Sequence, residues 1–152
     1  MANATYSFLD VTAAITGVGG TFTLGSDSGN AEEGITISMA EDKGTLTMGA
    51  DGSWMHSLHA GQGGTITVRL LKTSPVNQQL MQMYNAQRLS SSTWGANVIS
   101  VRNVQTGDVI TAAGAAFRKA PDISYAKVGN TVEWAFNCGK IEMILGSGTP
   151  EA

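Results

Sequence analysis

A chain of 152 residues has room for one domain with a real core and is short for two. Only 14% of its residues are charged, against about 25% in an average soluble protein, and the net charge is −3 with a pI near 5.2. Its nine cations are scattered, Arg118 and Lys119 being the one adjacent pair, which excludes binding to nucleic acid by phosphate neutralisation.

Thr, Ser, Gly, Asn and Gln take the place of the missing charge. A neutral polar surface suits a chain that packs against copies of itself, because charges are depleted in interface cores. Secreted β-proteins share this composition. The opening MANATYSFLDV has no basic region followed by an apolar one, so no secretory signal is expected there. No apolar run approaches the ~20 residues of a membrane helix.

In chain order, residues 7–16 read as a first strand with Leu9, Val11, Ala13 and Ile15 on one face. Gly17, Gly19 and Gly20 close it, and residues 21–24 pair back. Residues 25–30 are a loop, followed by Glu32 and Glu33. Adjacent residues of a strand point to opposite faces, so these carboxylates would not converge for acid–base work; a solvated loop is the expected reading.

The central stretch is residues 34–71. Ile35, Ile37 and Met39 alternate with Thr36 and Ser38; after the acidic turn with Glu41 and Asp42, Leu46 and Met48 alternate with Thr45 and Thr47. That is the period of a strand with one buried and one wetted face. Gly44 stands where the chain would reverse, so the two runs read as one long hairpin. A third run, residues 65–71, places Ile66, Val68 and Leu70 on one side.

Between Asp51-Gly52 and the glycines at 61, 63 and 64 lies SWMHSLHA. His56 and His59 at i, i+3 would share a helical face and form a conceivable metal pair. Neither HExxH nor a nearby cysteine supports this, and structural or surface histidines are the commoner case. Glycine-rich nucleotide motifs are absent, so no cofactor is expected.

A helix is expected at about residues 75–88. Thr73 or Ser74 serves as N-cap and Pro75 fits the first helical position. Val76, Leu80, Met83, Tyr84 and Gln87 form its inward stripe. Residues 89–95 are a loop ending near Trp94; residues 98–104 and 109–117 are strands joined by a turn at 105–108. Ala120-Pro121-Asp122 breaks the chain, 123–125 is a short extended run and 128–130 a turn. Val132, Trp134, Phe136 and Cys138 are apolar at even positions, then Ile141, Met143 and Leu145 at odd ones. One inserted bulge residue near Gly139 produces such a phase change, giving a single bent strand; two strands joined at 137–140 are the alternative. The lone Cys138 reads as a small buried hydrophobe. The whole is mainly β, eight to ten strands with one flanking helix, a β-sandwich or barrel in one domain over residues 1–152, with flexible ends at about 1–5 and 146–152.

The segments TYSFLDV, AEEGITISMAEDKGTLTMGADG with MHSLHAG, TVRLLKTSPVN, STWG, VRN, GDVITA, FRKAPD and TVEWAF resemble the tail tube family of contractile-tailed bacteriophages, over about residues 5–145. The resemblance implies a small β-barrel-like domain with a flanking helix, assembled into hexameric rings stacked into a tube. Type VI secretion tube proteins are similar in fold. No catalytic residue, cofactor or metal is implied. Expected partners are further copies of the chain, the tail sheath, baseplate and terminator proteins, and double-stranded DNA passing through without specific binding, with no membrane. The expected location is the virion tail, assembled in the host cytoplasm.

Strand edges left open in a monomer are closed by sister molecules in a ring. The stretch Ile35, Thr36, Ile37, Ser38, Met39, Thr45, Leu46, Thr47 and Met48 is therefore expected at an inter-subunit contact or the lumen. Glu32, Glu33, Glu41 and Asp42 would be channel acids that repel phosphates. Six copies at −3 each would carry about −18. Arg69 and Arg102 are expected to pair with carboxylates or face outward. A tube-capping ring or type VI-like tube is the alternative within this class. A carbohydrate-binding β-sandwich using Trp54, Trp94 and Trp134 is a more distant one, and an enzyme built on His56, His59 and Asp51 comes last.

Overall fold

The computed structural model describes residues 4–25 and 29–148, and within 30–33 the backbone alone. Alternating hydrophobicity becomes nine strands among the described residues: β1 (Val11–Gly17), β2 (Gly20–Thr23), β3 (Asn30–Met39), β4 (Gly44–Met48), β5 (Trp54–Leu58), β6 (Gly64–Leu71), β7 (Asn97–Asn103), β8 (Asp108–Phe117) and β9 (Thr131–Ile144). Seven of them form an antiparallel sheet in the order β2-β1-β7-β8-β9-β6-β3, and β4 pairs with β5 alone. The sheet curls, bringing Ile35 and Ile37 of β3 across from Val11 and Val101 to line one cleft. The mainly-β, helix-flanked fold read from the sequence is the fold observed.

One face of the curled sheet is the core. Ile15, Ile66, Val68, Leu70, Ile99, Phe117, Trp134 and Phe136 are all buried there. The helix α1 (Val76–Gln87) crosses from β6 to β7 and seats Val76, Leu80, Met83 and Gln87 against it, the expected stripe. Ser74 Oγ accepts the Val76 N–H, satisfying one of the donors left open at a helix start, while Pro75 occupies the cap position itself. Phe117 makes edge or tilted contacts with Tyr84, Trp94, Trp134 and Phe136, tying helix to sheet.

The phase change near Gly139 is real, and β9 runs through it as one strand of 14 residues. Both β8 and β9 switch faces together: Ala112 opposite Ile141 and Ala115 opposite Cys138 are buried pairs. The extra residue shows against the outer neighbours, as a register shift between β7 and β8 at Asn97/Ile99. Gly114, at φ 62°, takes the bend against Gly139.

Several local readings are corrected. The first strand begins at Val11, because Ser7 Oγ caps the Leu9 N–H and winds Phe8–Asp10 into a 3-10 turn that leaves Leu9 exposed. Glu32 and Glu33 lie in β3 and not in a loop; their side chains are outside the described residues. Residues 123–125 form no strand.

The main correction concerns the expected hairpin. Ile35 to Met39 do not pair with Leu46 and Met48: Ile35 faces Val68 and Met39 faces Gly64, whereas Leu46 faces His56 and Met48 faces Trp54. The chain reverses at residues 49–53, where Asp51 Oδ1 accepts from Ser53 N (3.1 Å) and Ser53 Oγ (2.6 Å) and Gly52 adopts φ 88°. That is an Asx turn feeding a two-strand ribbon, and a local hairpin outcompetes a longer-range one. Trp54–Leu58 within SWMHSLHA is consequently strand β5, so the helical face on which His56 and His59 could have met is not formed. Residues 40–43 only hand the chain from one partner to the next, through Ala40 N to Gly63 O and His59 N to Lys43 O.

Candidate assembly surface

Three features of the outer surface stand out, and each follows from the strand pattern. The first is the wall formed by β3 and β6. Ile35 and Ile37 turn inward to pack on the core, so Thr36 and Ser38 turn outward beside Thr67 and Thr65 of β6, their cross-strand neighbours. The only long cation in this row, Arg69, is tied down: Nε lies 3.3 Å from Glu133 Oε2 and a guanidinium N–H donates to Thr36 Oγ1 at 3.2 Å. The expectation for Arg69 therefore holds. Arg102 is exposed and has no ion pair among the described residues. As the outer strand of the sheet, β3 has a partner on one side only.

The second feature is the arm made by β4 and β5. Its register sorts the side chains into two faces. Thr45 and Thr47 share one with Ser57 and Met55; Leu46 and Met48 share the other with Trp54, His56 and Leu58. Leu46 and Met48 are thus not buried, as a hairpin inside the domain would require. They are 55% and 60% exposed, with Trp54 at 69% and Leu58 at 83%. β4 and β5 make their extensive contacts only with each other. A two-stranded ribbon alone is marginal in water, so an apolar face left open on one is a surface awaiting cover.

The third feature is a mostly apolar cleft of about 230 Å³ beside β3, lined by Tyr6, Phe8, Ile35, Ile37 and Ile110, with Asn103 and Asp108 as polar members of the lining. A larger polar cleft beside the 118–122 loop has its charges mostly paired, Lys119 with Asp122 at 4.0 Å and Glu133 with Arg69. It attracts neither sign strongly.

Of the expected channel acids, Glu41 and Asp42 are exposed on the bend at the root of the arm. His59 Nε2 lies 2.7 Å from Thr45 Oγ1, and His56 stands on the apolar face of the ribbon, so the two imidazoles do not share a site. Among the described residues no three His, Cys, Asp or Glu side chains gather to hold a metal. Burial pushes the Cys138 thiol above its ordinary pKa, which disfavours the reactive thiolate. The tryptophans are dispersed: Trp134 is 1% exposed and donates to Asn77 Oδ1 at 3.0 Å, Trp54 is on the arm, and Trp94 stacks near Tyr84. They form no sugar platform.

The arm's register was the part sequence reasoning missed. Asp-Gly flanked by two alternating runs is a strong hairpin signal, and Asp51-Gly52 sits between TLTM and WMHSL.

The fold is similar to that of chains solved in contractile injection systems. A chain of the sheath/tube terminator of the extracellular contractile injection system PVC, in the extended state, superposes with a TM-score of 0.61 at 12% identity, covering 92% of this chain and 96% of that one. A chain of the PVC sheath-tube complex gives 0.56 at 12% identity over 88% of each, and one of the anti-feeding prophage tube-terminating cap gives 0.51 at 10% over 88% of each. No curated protein matches the sequence significantly. The family model of the bacteriophage PhiTE tail tube protein matches residues 3–146, and the chain belongs to that family. It is a structural family, not an enzymatic one.

Proposed function

We propose that the chain, acting as one domain, is the repeating subunit of a phage tail tube, closing into hexameric rings that stack around a channel for DNA. Family membership supports the tail role. The observation that carries self-assembly is the arm, whose four large apolar side chains stay 55–83% exposed among the described residues. The open side of β3 adds backbone donors and acceptors that a neighbour would satisfy.

In this reading Thr36, Ser38, Thr65 and Thr67, continued by Thr45, Thr47 and Ser57 of the arm, line the bore with short hydroxyl groups. Glu41 and Asp42, with Glu32 and Glu33, make it acidic. Arg69 is neutralised by Glu133, so it offers phosphates no free cation. DNA then slides because nothing holds it. Sheath, baseplate and terminator proteins are the partners such a tube requires, the virion tail is its place, and assembly precedes release, in the host cytoplasm.

Electron microscopy of the purified protein tests the proposal. Rings or tubes with a central channel are expected; discrete monomers at every salt and protein concentration would overturn it. A terminator ring or type VI-like tube would share the fold, and the likeness to the PVC terminator keeps that second reading in view. Copy number per particle, measured by quantitative mass spectrometry, separates them: many rings for a tube, one for a terminator.

A further inference from the structure

The ribbon and the cleft are two unmatched halves on one chain. The ribbon has an apolar face of Leu46, Met48, Trp54 and Leu58 interrupted by a single polar group, His56. The cleft is mostly apolar, with Asn103 and the carboxylate of Asp108 in its lining. We propose that the arm of one copy seats in the cleft of the next, with Trp54 filling it and His56 meeting Asp108. This rests on the self-assembly reading above and names the surface that receives the arm.

Four observations carry it. First, no described residue of the arm lines the cleft of its own chain. Second, the cleft, at about 230 Å³, has room for one large side chain, and Trp54 is the largest on the ribbon's apolar face. Third, the polar group of the ribbon matches one in the cleft: the His56 imidazole N–H donates, and the Asp108 carboxylate, whose Oδ1 accepts from Gly146 N, has further oxygen capacity to accept. Fourth, joining two different patches of one chain is a heterologous contact, which propagates from copy to copy and yields rings or helical stacks; two arms meeting face to face would stop at a dimer. Burying the apolar face also leaves Thr45, Thr47 and Ser57 outward, as the hydroxyl-lined bore requires.

Site-directed cross-linking tests the contact. Ala50→Cys, in the turn at the tip of the arm, and Tyr6→Cys sit at exposed positions and leave Trp54 in place, so both variants should fold, and native Cys138 is buried. Differently tagged copies of the two are mixed and treated with a short bismaleimide. The expected product is a mixed dimer absent from either variant alone and from wild type. No mixed dimer, while wild type still forms tubes, overturns the arm-in-cleft contact and leaves the tube reading intact. Equal cross-linking by Ala50→Cys alone means arms meet each other and overturns it as well. A mixed dimer from a protein that never forms rings or tubes supports the contact and sinks the tube. In addition, Trp54→Ser should lower the assembled fraction about tenfold with unchanged circular dichroism, as loss of a central aromatic anchor does; an unchanged assembled fraction counts against the contact.

Discussion

Gln87 and Asn97 clasp each other in the core through two reciprocal amide hydrogen bonds, Gln87 Nε2 to Asn97 Oδ1 at 2.7 Å and Asn97 Nδ2 to Gln87 Oε1 at 2.9 Å. Both residues are fully buried, and Gln87 also donates to Val18 O at 2.8 Å. The last turn of α1 is thereby locked to β7 and to the end of β1. Gln87→Leu leaves Asn97 and the Val18 carbonyl without their partners, which should cost about 2–4 kcal/mol. Urea unfolding reads this directly, and a loss below about 0.5 kcal/mol would contradict the account. Gly17 belongs to the same cluster, since a Cβ there would run into Asn97 Oδ1. Gly17→Ala should destabilise by about 1–3 kcal/mol through overpacking.

The bend shared by β8 and β9 separates two glycines that look alike in the sequence. Gly114 has φ 62°, where an L side chain is strained; Gly139 is not in that region, and a Cβ on it would meet nothing closer than 3.8 Å. Alanine at 114 should cost about 1–2 kcal/mol and alanine at 139 less than about 0.5. Thermal unfolding of the two variants side by side distinguishes them.

The turn at the tip of the arm depends on pH with a definite sign. Hydrogen bonds from the Ser53 hydroxyl, and then from its backbone N–H, hold the Asp51 carboxyl below its ordinary value of 3.8. A depressed carboxyl contributes stability above the unfolded value and loses it as pH falls through the folded one. The Ser53 amide resonance should therefore titrate with Asp51, with a midpoint below 3.8. Asp51→Asn should abolish that titration.

Cys138 should resist alkylation by iodoacetamide in the native protein at mildly alkaline pH and react readily in urea. Burial raises its pKa and removes it from the reagent. Rapid native labelling would show that the centre of β9 opens locally.

Glu133→Gln should change stability by less than about 1 kcal/mol, because its partner arrangement with Arg69 is partly exposed. In particles carrying the variant, Arg69 loses its neutralising carboxylate. The proposed bore would then hold DNA more strongly at low salt, and slower ejection is the readout.

The sequence by itself determined the inward faces of β1, β6 and β9, the helix with its stripe ending in Gln87, and the single bent strand around Gly139. These are local: a period of two or 3.6, a glycine, a proline and a serine before a helix set them within a few residues. Family membership was legible too, because it rests on ordered motifs along the whole chain. Which strand lies beside which was decided only by the tertiary structure. Alternation in Ile35–Met39 says which side is apolar and nothing about whether Leu46 or Val68 lies alongside, and both choices bury the same face. The choice fell to the Asx turn at Asp51 and to the β6 ladder, and it turned Leu46 and Met48 from expected core residues into the exposed face of an arm. Hydrophobicity marks a side chain for burial, and only the folded chain shows whether its own protomer supplies the cover.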